Sequence, residues 1–182
     1  MSKRSGTSIQ RFRVPLGFLF AAVFLYFAEP KMLFLVIGGV IAVVGILIRA
    51  WASGHIRKNQ NLAVSGPYAY TRNPLYLGSF ILGLGFTIAS GVWWLGFIFI
   101  ALFLGIYLPV MRVEAKDLTK LFGADYEEYA GKVPLFFPRI TVYKASDAKF
   151  DMNLYLHYRE YRAALGLIFA WSVLLVKAIF LG

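Results

Sequence analysis

The 182-residue chain has no cysteine and only two histidines, His55 and His157. The first absence excludes a disulfide framework and any thiolate metal site. The second leaves too few imidazoles for a His-based metal centre. Acidic residues are scarce as well: nine Asp and Glu face 19 Lys and Arg, for a formal net charge of +10. There is no glycine-rich phosphate loop either. Gly83-Leu84-Gly85 lacks the third glycine of a dinucleotide fingerprint and sits inside an apolar run, where small residues aid helix packing. A Rossmann fold is therefore not expected. No internal repeat or low-complexity tract interrupts the chain.

Apolar side chains are abundant. The chain is 59% hydrophobic and 18% aromatic, far from the average soluble domain. Val14 to Ala28, Met32 to Ile48 and Leu75 to Met111 carry no charge, and Ala163 to Gly182 carries only Lys177. A spanning helix needs about 20 mostly apolar residues. The third run is long enough for two helices with a turn at Ser90-Gly91. These runs predict an all-α integral membrane protein, a single membrane domain of about five transmembrane helices at 14–29, 32–50, 74–89, 91–111 and 163–181. Glu29-Pro30-Lys31 turns the first into the second. The first run follows basic residues, as a signal peptide would. Tyr26-Phe27-Ala28 lacks the small-x-small cleavage pattern, so retention is expected.

Basic residues set the orientation. In a five-span chain, 17 of the 19 Lys and Arg fall on one side, leaving Lys31 and Lys177 on the other. The positive-inside rule then predicts a cytoplasmic N-terminus. Attraction to anionic headgroups accounts for the net charge, so no nucleic-acid partner is implied. Two polar segments share the cytoplasmic face, 54–73 and 112–140. The second forms a helical segment between the fourth and fifth spans. Its Leu118, Phe122, Tyr126 and Tyr129 recur at helical spacing. Gly123 is a candidate break, and Pro134 and Pro138 end the helix.

The first segment contains Ser-Gly-Pro-Tyr-Ala-Tyr-Thr-Arg-Asn-Pro-Leu-Tyr-Leu-Gly-Ser, Ser65 to Ser79. A residue before proline avoids the helical region; Asn favours the N-cap and Pro the first helical position. A helix is thus predicted to start at Pro74, its free N–H groups facing the cytoplasm beside Arg72. That arrangement suits an anion; a capped helix with a snorkelling arginine is the plainer reading. Glu114 is the first carboxylate after the uncharged fourth span. It pairs with Arg112 or faces a polar cavity. A cavity between Arg72 and Glu114 suits a ligand with a carboxylate and an amine. His55 and Arg57 read as solvated interface residues, and His157 to Arg162 as a basic-aromatic approach to the fifth span.

Gly66-Pro67-Tyr68, Arg72-Asn73-Pro74-Leu75-Tyr76 and Gly78, followed by Glu114, Leu118, Phe122, Gly123, Tyr126, Tyr129, Pro134 and Pro138, resemble the isoprenylcysteine carboxyl methyltransferase and phospholipid methyltransferase superfamily. The resemblance covers roughly residues 50–138. Three positions depart from the usual pattern: Asn73 and Gln60 stand where histidines are common, and Ala115 replaces a second glutamate. The resemblance implies S-adenosylmethionine as cofactor and a membrane lipid or lipid-linked acceptor at the cytoplasmic face. It implies a cofactor site of Gln60, Leu62, Gly66, Tyr68, Arg72, Asn73, Tyr76 and Glu114, with Arg72, Tyr76 and Glu114 at the reacting centre. Arg72 and the helix start would hold the methionine carboxylate, Glu114 the amine or ribose, and Tyr68 and Tyr76 would face the sulfonium. Catalysis would rest on in-line alignment. A carboxylate acceptor needs no general base, and an amine must first lose a proton. Two other classes stay open on the residues: a nicotinamide-dependent membrane reductase of the sterol reductase type, and a non-enzymatic small membrane protein.

Overall fold

The computed structural model describes residues 8–57, 60–145 and 148–180, with side chains from residue 15 onward. Lys3, Arg4, Lys58 and Gly182 lie outside the described residues, as do the side chains of Arg11 and Arg13. Seven α-helices account for the regular structure among the described residues: α1 (Ser8–Phe27), α2 (Met32–Ser53), α3 (Pro74–Ala89), α4 (Trp93–Phe122), α5 (Ala124–Lys132), α6 (Met152–His157) and α7 (Tyr161–Phe180). A short 3-10 turn, Gly66–Ala69, precedes α3.

Three helices, α2, α4 and α7, are long and apolar enough to cross a membrane. The apolar part of α1 is the shorter Pro15–Phe27. Helix α3 has 16 residues, about 24 Å at 1.5 Å per residue, against a hydrocarbon core of about 30 Å. The outer face of α2 exposes Leu33, Val36, Val40, Val43 and Leu47, and that of α7 exposes Leu165, Ile168, Phe169, Val176 and Ile179. Apolar residues all round a helix suit a lipid solvent on one side and protein on the other.

Helices α2 and α3 pack through a seam of small residues. A Cβ on Gly45 would lie 2.6 Å from the carbonyl oxygen of Gly78, and one on Gly85 would lie 2.6 Å from that of Gly38. Ala42 is fully buried between them. In lipid, where apolar burial gives little drive, close backbone approach is what joins two helices. Gly85 therefore serves packing, as its sequence context suggested.

At one end of the bundle, the α1–α2 and α3–α4 corners meet. The Glu29 N–H donates to the Ser90 carbonyl at 2.7 Å, and Gly91 turns there with φ +70°. From α7, the Lys177 ammonium donates to the carbonyls of Leu25 at 2.6 Å and Tyr26 at 3.1 Å. These satisfy the last turn of α1, whose carbonyls have no helical partner.

At the other end lies a polar lobe. Helix α4 carries the fourth apolar run directly into the second polar segment. It runs unbroken to Phe122, with Pro109 inside it. Proline removes one backbone donor, but Val113 to Leu118 contains nothing that breaks a helix. The break comes at Gly123, whose φ of +53° reverses the chain into α5. Leu118 and Phe122 from α4 then pack with Tyr126 and Tyr129 from α5 in one cluster, completed by Val133 and Leu62.

Candidate functional site

The lobe joins the two polar segments by backbone. Gly66 has φ +57°, and a Cβ there would meet the His55 ring at 2.7 Å, so the turn needs glycine. Past it, Pro67, Tyr68 and Ala69 are buried. Residues 69–72 are fastened to the segment after α5. The Tyr143 N–H donates to the Ala69 carbonyl at 3.1 Å, the Arg139 N–H to that of Tyr70 at 2.9 Å, and the Arg72 N–H to that of Pro134 at 3.0 Å. Side chains add to this: the Thr71 hydroxyl donates to the Phe136 carbonyl at 2.8 Å, and the Tyr129 hydroxyl to the Tyr68 carbonyl at 2.7 Å. The bonds run both ways, with Pro134 and Phe136 accepting on one side and Tyr68, Ala69 and Tyr70 on the other.

Asn73 differs from its expected role. It occupies the N-cap of α3, but its side chain makes no capping bond. Its amide donates instead to the Leu135 carbonyl at 2.9 Å, so it joins the two segments.

Arg72 donates from Nη1 to the Tyr126 hydroxyl at 3.2 Å, with its guanidinium 5.9 Å from that ring's centroid. Its Nε is buried and makes no hydrogen bond. The Tyr68 hydroxyl is in the same condition, in a side chain only 5% exposed. Burial first, then the nearby Tyr129, Tyr158, Glu160 and Glu114, push the Tyr68 hydroxyl far above the usual phenol range. It therefore stays a neutral donor. Tyr129 is raised as well, chiefly by burial and then by Tyr126, with Arg72 opposing.

Tyr76, in the first turn of α3, donates to Glu114 Oε1 at 3.0 Å. Arg112 and Glu114 form no ion pair among the described residues, so the pairing with Arg112 is set aside. Tyr76 packs on Tyr107 with centroids 5.3 Å apart, and Tyr107 stacks on Phe103 at 4.4 Å. The structure thus brings Tyr68, Arg72, Tyr76 and Glu114 to one end of the bundle. Gly66 shapes the turn beneath them. Leu62 packs in the Tyr126–Tyr129 cluster. Gln60 is exposed, and its backbone N–H donates to the Arg57 carbonyl at 3.2 Å.

Sequence reasoning passed over Arg49 and Glu160. Arg49, at the end of α2, forks onto Glu160 before α7, with Nη2 to Oε2 at 2.7 Å and Nε to Oε2 at 3.1 Å. It also reaches the Ser79 hydroxyl on α3. The available signal was a lone charge ending an uncharged run, which in a membrane protein asks for a partner.

Comparison with known proteins places this geometry. The phospholipid methyltransferase family model matches residues 33–125, just over half of the chain. The chain belongs to the phospholipid methyltransferase family. The match takes in both helices of the small-residue seam, the Gly66–Gly78 motif and Glu114, and stops before Tyr126. Among curated relatives of this family member, a cobalt-zinc-cadmium resistance protein of Cupriavidus metallidurans is 37% identical over 121 residues, 64% of this chain and 53% of that protein. A nickel-cobalt-cadmium resistance protein of Alcaligenes xylosoxydans xylosoxydans is 34% identical, over 60% of this chain and 50% of its own. The protein-S-isoprenylcysteine O-methyltransferase of Schizosaccharomyces pombe is 28% identical over 129 residues, 68% of this chain and 55% of that enzyme. The chain spans about half the length of the curated relatives it matches. No solved structure matches. Among the described residues, no group of three or more His, Asp and Glu could hold a metal ion.

Proposed function

We propose that this phospholipid methyltransferase family member is a membrane methyltransferase that uses S-adenosylmethionine and acts on a lipid or lipid-linked acceptor at the cytoplasmic face. The observation that carries this reading is the pair of orphaned buried polar groups, the Tyr68 hydroxyl and Arg72 Nε, at the meeting point of the two motifs. Folded proteins pair such groups with protein, water or ligand. One donates as a cation and the other as a neutral phenol, so both suit acceptor atoms on a ligand such as a carboxylate.

S-adenosylmethionine would supply an activated methyl group on a sulfonium. Arg72 and the N-terminal turn of α3 would bind its carboxylate. Glu114, oriented by the Tyr76 hydroxyl, would bind its amine or ribose. Leu62, packed on the Tyr126–Tyr129 cluster, and the exposed Gln60 would contribute shape. A lipid acceptor fits the relative's printed activity on isoprenylcysteine and the family's description. Its hydrocarbon chain would lie in an apolar cleft of about 220 Å³ walled by Leu16, Phe20, Phe99, Phe103, Ile106 and Tyr107. Tyr107 joins that cleft to Tyr76. In this reading all five long helices lie in the bilayer, with the lobe in the cytoplasm and Lys31 outside; a cysteine at Lys31 that an impermeant external reagent fails to label would refute the topology.

Calorimetric titration of the detergent-purified protein tests the cofactor. S-adenosylmethionine should bind and NADPH should not; the reverse result would move the chain to the reductase class. Arg72→Ala should weaken S-adenosylmethionine, and Arg72→Lys should restore it only in part, because lysine keeps the charge and loses the planar fork.

A further inference from the structure

A non-helical segment of the chain reaches membrane depth. Phe136, after α5, is only 4% exposed and packs on Phe80 of α3 and Phe103 of α4, with ring centroids 5.6 and 6.2 Å away. Phe80 stands in the second turn of α3, about 9 Å along the axis from Pro74. Helix α3 is shorter than the hydrocarbon core, so in a bilayer its second turn lies among acyl chains. Phe136 sits at that level. The next ring, Phe137, rests on Phe136 at 5.1 Å yet is 66% exposed, and Ile140 is 97% exposed.

Irregular backbone at such depth is tolerated where protein satisfies its polar groups. Three successive carbonyls of this segment are satisfied by the motif ahead of α3. Pro134 accepts from the Arg72 N–H at 3.0 Å, Leu135 from the Asn73 side-chain amide at 2.9 Å and Phe136 from the Thr71 hydroxyl at 2.8 Å. Pro134 and Pro138 bring no N–H that would need a partner. This accounts for the Asn73 side chain leaving its own helix uncapped. A carbonyl held in hydrocarbon has no water to turn to, whereas a helix start at the interface has. The charge beside the segment fits as well. The Arg139 guanidinium bonds the Lys132 carbonyl at 2.8 Å and the Thr141 hydroxyl at 3.0 and 2.6 Å. No carboxylate pairs with it among the described residues, which leaves its charge for headgroup phosphates. The Arg139 N–H donates to Tyr70, whose ring lies 6.3 Å from that of Trp51 in the last turn of α2. Tyr and Trp favour the headgroup level.

We infer that residues 134–140 form a wedge in the leaflet on the side of the lobe, pinned there by residues 71–73, with Phe137 among the acyl chains and Arg139 and Ile140 at the headgroup boundary. The partner of this exposed apolar surface is the bilayer itself. The inference rests on the reading above that α3 spans the membrane, and it is independent of the cofactor. The remainder of the lobe stays in water. The wedge sets the depth of Thr71-Arg72-Asn73, and so holds the Tyr76–Glu114 pair at the level where a membrane lipid presents its headgroup.

The chain has no cysteine, so a single introduced cysteine carries a nitroxide label at one chosen place. Three full-length variants are compared in vesicles of phosphatidylcholine and phosphatidylglycerol: Phe137→Cys, Phe169→Cys on the exposed face of α7, and Glu127→Cys on the exposed face of α5. Power saturation reads whether oxygen, which partitions into lipid, or a nickel chelate, which stays in water, reaches the label. The label at position 137 should favour oxygen, as at position 169, while that at position 127 favours the chelate. If position 137 reads like 127 while 169 favours oxygen, the wedge is overturned and the membrane reading stands. If position 169 itself favours the chelate, the membrane reading falls first. Thr71→Val in the Phe137→Cys background orphans the Phe136 carbonyl and should shift the label toward the chelate; an unshifted label would overturn the pinning by residues 71–73. Should Phe137→Cys not fold, Ile140→Cys carries the label and should read between the two references. A reading there equal to that at position 127 would overturn the wedge.

Discussion

The two ends of the bundle treat their polar groups differently. At the α1–α2 corner the chain bonds to itself: Glu29 bonds Ser90, and Lys177 covers the carbonyls of Leu25 and Tyr26. At the lobe, an equally dense backbone network leaves the Tyr68 hydroxyl and Arg72 Nε buried without partners. A neighbouring phenol is satisfied, since the Tyr129 hydroxyl donates to the Tyr68 carbonyl at 2.7 Å. A polar group left open inside such a network costs stability, which is tolerable where a ligand completes it. The far end closes its polar groups on protein; the lobe leaves two buried ones open.

Substitutions at each end should separate affinity from stability. The largest expected effect is at the lobe. Glu114→Gln removes a charge-assisted contact worth about 1.5–3 kcal/mol, so S-adenosylmethionine affinity should fall tenfold to a hundredfold with the melting temperature held. A melting change without an affinity change would make Glu114 structural and erase the contrast. The seam that both ends share comes next. Gly45→Val would press a side chain into the Gly78 carbonyl, and overpacking of this kind costs about 1–3 kcal/mol of stability. Ligand affinity per folded molecule should be unaffected, as binding to the surviving fraction would reveal.

Lys177→Met addresses the far end alone. Losing its bonds to the α1 carbonyls should cost about 0.5–1.5 kcal/mol of stability and leave cofactor affinity as it was. An altered affinity would mean that the ends are coupled through α7. The smallest effect is pH-dependent. Burial holds the His55 imidazole below its ordinary value of 6.5. The unfolded chain therefore takes up the proton first, and stability should fall as the pH drops through that value, with no change above it. Melting curves between pH 8 and pH 5 should show this for the wild type. His55→Gln should flatten that part of the profile.

Much of the helical layout is legible in the sequence because lipid is an undemanding solvent. Uncharged runs must be helical there, since no water satisfies their backbone. The helix start at Pro74 and the turn at Gly91 follow from single residues with narrow backbone preferences. The residues Tyr68, Arg72, Tyr76 and Glu114 were also legible, because a motif records them in order. What the chain alone did not disclose depends on competition between partners far apart in sequence. Asn73 has a helix N-terminus beside it and Leu135 across from it, and only packing shows that Leu135 wins. Glu114 has Arg112 two residues away, but their side chains leave the helix in different directions, and Tyr76 is the neighbour within reach. Arg49 and Glu160 are 111 residues apart. Local preference sets where each helix begins and ends, and tertiary contact decides which side chains meet, because a buried charge takes whichever partner the fold brings to it.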